Sequence, residues 1–160
     1  MKINFNLNKK IFLIPKFLSL IFIDFSLISA NLSGRSYLHW KPLLSCPKTP
    51  NCVFSQAKDP QNYIDPLTFS DSLKLAKEYL FQVLVSMEGA KVVFQNQSYW
   101  RVEFTSKWWK FIDDVEFYFT DYGSLIHFRS ASRTGYWDLG VNRRRMEKIR
   151  LKYFKLSESN

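Results

Sequence analysis

The 160-residue chain reads as an α+β fold. It is expected to hold one antiparallel meander of about four strands, with two helices packed on one face. A Pro-rich, disulfide-stapled segment precedes them. Three observations carry this reading. Between Thr68 and Met87 apolar residues recur at steps of three and four. From Val92 to Ala131 the period falls to two, and from Val141 to Phe154 the helical spacing returns. The length is that of one domain. With Phe 15, Tyr 8 and Trp 5, the chain can bury a core, which argues against disorder. Two cysteines are too few for a disulfide-dense miniprotein or a Cys-rich metal fold.

Residues 1–30 read as an address. Lys2, Lys9 and Lys10 precede an apolar stretch from Ile11 to Ala30. Positive charge ahead of a short apolar run is the pattern of an export signal, cleaved or kept as a membrane anchor. Lys16 and Asp24 interrupt the run, so it lacks the roughly 20 consecutive apolar residues of a spanning helix. The net charge is +9, and this segment accounts for three of those charges. The remainder is only modestly basic, so nucleic acid is a disfavoured partner.

Residues 31–68 show no period and hold five of the six prolines. They are expected to run extended around the outside of the domain. Cys46 and Cys52 flank a turn-prone stretch with two prolines. In an oxidising compartment a small structural disulfide is the simple reading. The alternatives are redox exchange, for which the spacing is wrong, and a metal site, for which only His39 is near.

Residues 69–155 form the α-β4-α domain. In the first helix Phe69, Leu73, Ala76, Leu80, Leu84 and Met87 share a face. Thr68 and Asp71 have capping-box spacing, and Gly89 can end the helix. Strands follow at Val92–Gln95, Ser98–Ser106, Ile112–Phe119 and Leu125–Ala131, with Trp100, Val102, Phe104, Val115, Phe117, Phe119, Ile126 and Phe128 inward. Treating 120–123 as the last hairpin loop sets Phe117 opposite Ile126 and Val115 opposite Phe128. The same register sets Glu116 opposite His127 and Asp114 opposite Arg129. The second helix, from Val141 to Phe154, turns Met146, Ile149 and Tyr153 inward. Residues 156–160 read as a disordered tail.

Three motifs in order resemble the DUF1499 family of bacterial, cyanobacterial and plastid proteins, which has no assigned function. They are Cys46-Pro47-x-Thr49-Pro50-Asn51-Cys52-Val53, Asp113-Asp114-Val115-Glu116-Phe117, and Arg129-Ser130-Ala131-Ser132-Arg133-x-Gly135-x-x-Asp138-x-Gly140-x-Asn142-Arg143-x-Arg145. The likeness runs from about Cys46 to Phe154. Phe54 stands where the family usually has Ser. The resemblance implies an exported or membrane-associated domain of the periplasm, cell envelope or thylakoid lumen. It supplies no catalytic residues.

Two groups of residues are candidate sites. Arg129, Ser130, Ser132, Arg133, Asn142, Arg143 and Arg145 gather near the start of the second helix. Guanidinium groups beside helix N–H groups suit an anionic small molecule or a lipid headgroup. The competing reading is an ion-pair network, with Asp113, Asp114, Glu116 and His127 as partners and Asp138 as helix cap. Adjacent strand residues face opposite ways, so Asp113 belongs on the apolar side and cannot share a proton with Asp114. The second group is Lys107-Trp108-Trp109-Lys110, expected in a hairpin loop. Lysines flanking tryptophans suit a membrane surface or a membrane protein. Two histidines make a metal enzyme unpromising, and no nucleophile elbow is present. A non-enzymatic binding protein is therefore favoured over an enzyme or an assembly factor, with no cofactor, no metal and no oligomeric state assigned.

Overall fold

The computed structural model describes residues 43–120 and 123–159. Residues 1–30, expected to be an export signal, and His39 therefore lie outside the described residues. Eight elements follow in order: β1 (Cys52–Phe54), β2 (Leu67–Thr68), α1 (Leu73–Val85), β3 (Ala90–Gln95), β4 (Tyr99–Thr105), β5 (Ile112–Phe119), β6 (Leu125–Ser132) and α2 (Val141–Glu158). The fold is α+β, as the periods indicate. Strands β3 to β6 form the antiparallel meander, and β1 and β2 both pair with the outer edge of β6.

One face of the sheet carries the core. Trp100, Val102, Phe104, Val115, Phe117, Phe119, Ile126 and Phe128 meet Ala76, Leu80, Val83 and Leu84 of α1 and Met146, Ile149 and Tyr153 of α2 in one buried cluster. Each fully buried side chain of this size stabilises the fold by about 2 kcal/mol before chain entropy is counted.

The Pro-rich segment departs from the expected outer wrapping. Val53, Ile64 and Leu67 belong to the core, and its strands extend the sheet beyond four. Three-residue and two-residue strands are too short to show a period. Arginines of α2 tie it down: Arg143 donates to the Gln61 carbonyl at 2.8 Å and Arg150 to that of Pro66 at 2.9 Å. A disulfide joins Cys46 to Cys52.

Three local expectations are corrected. The cap of α1 is Ser72, whose hydroxyl accepts from Leu75 N–H at 3.3 Å. Thr68 instead pairs with Leu125 in the sheet, because Leu67 is needed in the core. The β5–β6 register is shifted by two: Phe119 faces Ile126, Phe117 faces Phe128, Glu116 faces Arg129 and Asp114 faces Ala131. Gly123 and Ser124 have φ of 80° and 50°, so Ser124 belongs to the turn and the ladder closes at Thr120 and Leu125. A two-residue shift keeps every side chain on its face, so alternation alone could not detect it. Finally, α2 runs to Glu158 with Leu156 against the core, where a tail is expected.

Gly89 turns the chain from α1 into β3. Its φ is 77°, and a Cβ there would lie 2.4 Å from the Thr105 carbonyl oxygen. Only glycine allows that approach.

Candidate functional site

The arginine-rich group is divided by the sheet. Along β5 the burial alternates, with Asp113, Val115, Phe117 and Phe119 on the helix side and Asp114, Glu116 and Tyr118 on the other. Along β6, Ser130 faces the helices, while His127 and Arg129 face away. Arg129 and Arg133 thus lie across the sheet from Arg143 and Arg145, and a single site holding all four is not assembled.

On the helix side the polar residues form a closed network. Arg145 pairs with Asp113, both side chains being about one-tenth exposed. Its guanidinium also stacks on the Phe104 ring at 4.8 Å. Asn142 is fully buried. Its Oδ1 accepts from Arg145 at 2.7 Å and from Ser130 Oγ at 2.5 Å. Its Nδ2 faces Asn51 O, Ser132 Oγ and Asp138 Oδ2 at 3.1, 3.0 and 2.9 Å. Asp138 accepts from the N–H groups of Gly140 and Asn142, both at 2.8 Å, and so caps α2 from outside it. Of the three arginines that crowd the first turn, where the helix dipole disfavours cations, Arg145 meets the Asp113 carboxylate, while Arg143 and Arg144 donate to the main-chain carbonyls of Gln61 and Leu139.

The outer face carries a second ladder. Glu116 accepts from Arg129 at 2.9 Å and from the Tyr99 hydroxyl at 2.6 Å. Arg133 grips Asp114 with two bonds of 2.7 and 2.8 Å and also reaches Glu103. Arg133 holds the Asp114 carboxyl below the usual carboxylate range. Burial, then the bond to Glu116, pushes the Tyr99 phenol up.

His127 is not opposite Glu116. Its Nδ1 lies 3.1 Å from Ser55 Oγ, and burial lowers its pKa. Sequence reasoning missed Ser55. The same hydroxyl accepts from Phe128 N–H at 2.9 Å and is only 5 % exposed. This Ser–His pair ties the residue after β1 to β6, and among the described residues no carboxylate bonds the imidazole to complete a triad. Among the described residues no three His, Cys, Asp or Glu converge as a metal site needs.

The uncovered groups lie at one end of the sheet. The β4–β5 hairpin and the β6–α2 loop leave the same end, where Arg133 N–H meets the Ile112 carbonyl at 3.2 Å. Trp108 and Trp109 are 80 % and 78 % exposed, so neither folds back on the core. Phe111, Tyr136, Trp137 and Leu139 are exposed beside them. The sequence held a signal for this second group: apolar residues between Gly135 and Gly140, where a loop would ordinarily be polar.

This exposure is not slack chain. The hairpin is closed by Ser106, whose Oγ accepts from Phe111 N–H at 2.9 Å. The other loop is held by Asp138 and by Asn51, which donates to the Gly135 carbonyl at 2.6 Å. Lys110 and Leu139 have φ of 56° and 52°, a backbone region that costs a non-glycine residue about 1 kcal/mol. Among the described residues no helix is long and apolar enough to cross a membrane.

No curated protein matches the sequence. The family model for a protein of unknown function, DUF1499, matches residues 42–153, and the chain belongs to that family.

Proposed function

We propose that this chain is an exported protein that works at a membrane surface, with the loop end of its sheet seated among lipid headgroups. One observation carries the reading. Trp108, Trp109, Phe111, Tyr136, Trp137 and Leu139 are all exposed on two pinned loops at one end of the fold. Lys107 and Lys110 bracket the two tryptophans. Indole rings settle at headgroup level, and lysines beside them meet anionic phosphates. A patch of this kind on a monomer marks an interaction site.

The N-terminal pattern and the Cys46–Cys52 disulfide support export, since such bonds persist in oxidising compartments. The arginines expected to bind an anion directly have a structural part instead: Arg129, Arg133 and Arg145 each meet a carboxylate. Their contribution is to hold the loop bases rigid. Rigid presentation avoids the ordering cost that a flexible loop incurs on binding.

Lipids brominated in their acyl chains test the reading. The full chain is mixed with vesicles of brominated phosphatidylcholine and phosphatidylglycerol, and tryptophan emission is followed. The expected result is quenching that largely disappears in the triple variant Trp108→Phe, Trp109→Phe, Trp137→Phe. Quenching that persists unchanged in that variant, or is absent from the native chain, overturns the reading.

A further inference from the structure

Behind the aromatic loops lies a groove of about 320 Å³, between the first turns of α2, the end of α1 and the base of the β4–β5 hairpin. Phe104 and Met87 make its apolar floor, and Lys107, Arg144 and Lys148 stand around it. The fourth cation in its wall, Arg145, already holds Asp113. Arg144 is different: it donates to the Leu139 carbonyl at 2.7 Å, a neutral acceptor that leaves its charge uncompensated. Lys148 meets no carboxylate among the described residues. Glu88 is the one acid in the lining, and it sits 3.8 Å from Lys107, both side chains being largely exposed. The groove therefore has an excess of positive charge over an apolar floor.

We propose that this groove binds the phosphate of an anionic phospholipid headgroup, with the glycerol end of the lipid against Phe104 and Met87. The proposal rests on the membrane reading above and adds to it a choice of lipid. Three features argue for this occupant. Guanidinium and ammonium groups lining one groove suit a phosphate oxygen set. The apolar floor suits the start of an acyl ester better than it suits a free ion. Lys107 begins the loop that carries Trp108, so the groove is continuous with the surface that would meet the bilayer. A zwitterionic lipid would bring its own ammonium among these cations and be repelled, which is how the groove would discriminate.

Short-chain lipids dissolved as monomers separate this proposal from the docking of the loops, because they need no bilayer. The full chain is titrated with dihexanoyl-phosphatidylglycerol, dihexanoyl-phosphatidylcholine and inorganic phosphate, with chemical shifts and thermal midpoint as readouts. Saturable binding of the phosphatidylglycerol, at least tenfold tighter than the phosphatidylcholine, is expected. The double variant Arg144→Gln, Lys148→Gln should weaken it about 30-fold, from roughly fivefold per charge. Lys155→Gln, at the far end of α2, should leave it unchanged. Lys148→Gln alone gives a milder test should the double variant fold poorly, and should still cost several-fold. Equal affinity for the two lipids, or native binding in the Lys148→Gln variant, overturns the groove while leaving the quenching result standing. Inorganic phosphate binding as tightly as the lipid overturns the lipid as source. Loss of quenching with the short-chain binding intact would remove the membrane reading and reduce the site to a soluble phosphoglyceride.

Discussion

Asn142, fully buried at the start of α2, donates from Nδ2 to the main-chain carbonyl of Asn51 at 3.1 Å. One amide thus ties the last helix to the residue beside Cys52. The same amide accepts from Arg145 at 2.7 Å, so it also links the disulfide segment to the ion pair with Asp113. Its Nδ2 meets three acceptors, which is the crowding expected at the centre of a closed network.

Replacing Asn142 therefore affects several groups at once. Asn142→Leu removes the acceptor of the Ser130 hydroxyl and one acceptor of the Arg145 guanidinium in a buried place, and leaves the Asn51 carbonyl with the Ser132 N–H alone. The expected cost is about 3 kcal/mol, read from urea unfolding. A loss below about 1 kcal/mol would mean that water enters and replaces the amide.

Breaking the disulfide should act on the same region. Cys46→Ser releases a short loop closure worth about 2 kcal/mol. It also frees Asn51, which holds the Gly135 carbonyl at 2.6 Å. Chymotrypsin cleavage after Tyr136 or Trp137 should accelerate in the variant. Native cleavage rates with a lowered midpoint would show that the loop is held without the disulfide's help.

His127 should give the fold an acid-sensitive margin. Burial lowers its pKa from the ordinary 6.5, so the unfolded chain takes up its proton first as the pH falls. The stability due to the neutral imidazole is complete above about 6.5. It declines below that value until the folded-state imidazole itself titrates. Thermal midpoints from pH 8 to 5 should fall for the native chain and fall less for His127→Gln. Parallel curves would assign the slope to other groups.

Tyr153 predicts a change of the opposite sign. It is 1 % exposed, its hydroxyl finds no hydrogen-bond partner among the described residues, and burial pushes its pKa to about 12. Tyr153→Phe removes a desolvated polar group and leaves the ring. Stability should hold or rise by up to about 1 kcal/mol. A clear loss would reveal an ordered water on that hydroxyl.

The regular elements were legible because their periods are long enough to count. Met146, Ile149 and Tyr153 fall inward as spaced, and Asp113 lies on the apolar side and holds an arginine, as parity along β5 requires. The start of α1 was not legible. Thr68 and Ser72 are both good caps, and the demand of the core for Leu67 decided between them. The hairpin register turned on the left-handed backbone of Ser124, which composition does not signal. Of the candidate site, neighbours in sequence suggested one arginine group, but the sheet passes between Arg129 and Arg145. The exposed loop end is half visible in the sequence: Trp108 and Trp109 stand out between lysines, whereas Tyr136, Trp137 and Leu139 lie between glycines with no lysine beside the aromatics.

Both short strands of the Pro-rich segment join the sheet through β6, the last strand to be made. The meander from β3 to β6 can zip between neighbours, hairpin by hairpin. Cys52 must instead wait for Ala131 and Leu67 for Ile126. Such distant closures are slow. During synthesis, the leading part of the domain would stay unpaired until its final third arrives. Under the proposed export that delay is an advantage: the order of the strands would keep the chain threadable until it is through the membrane.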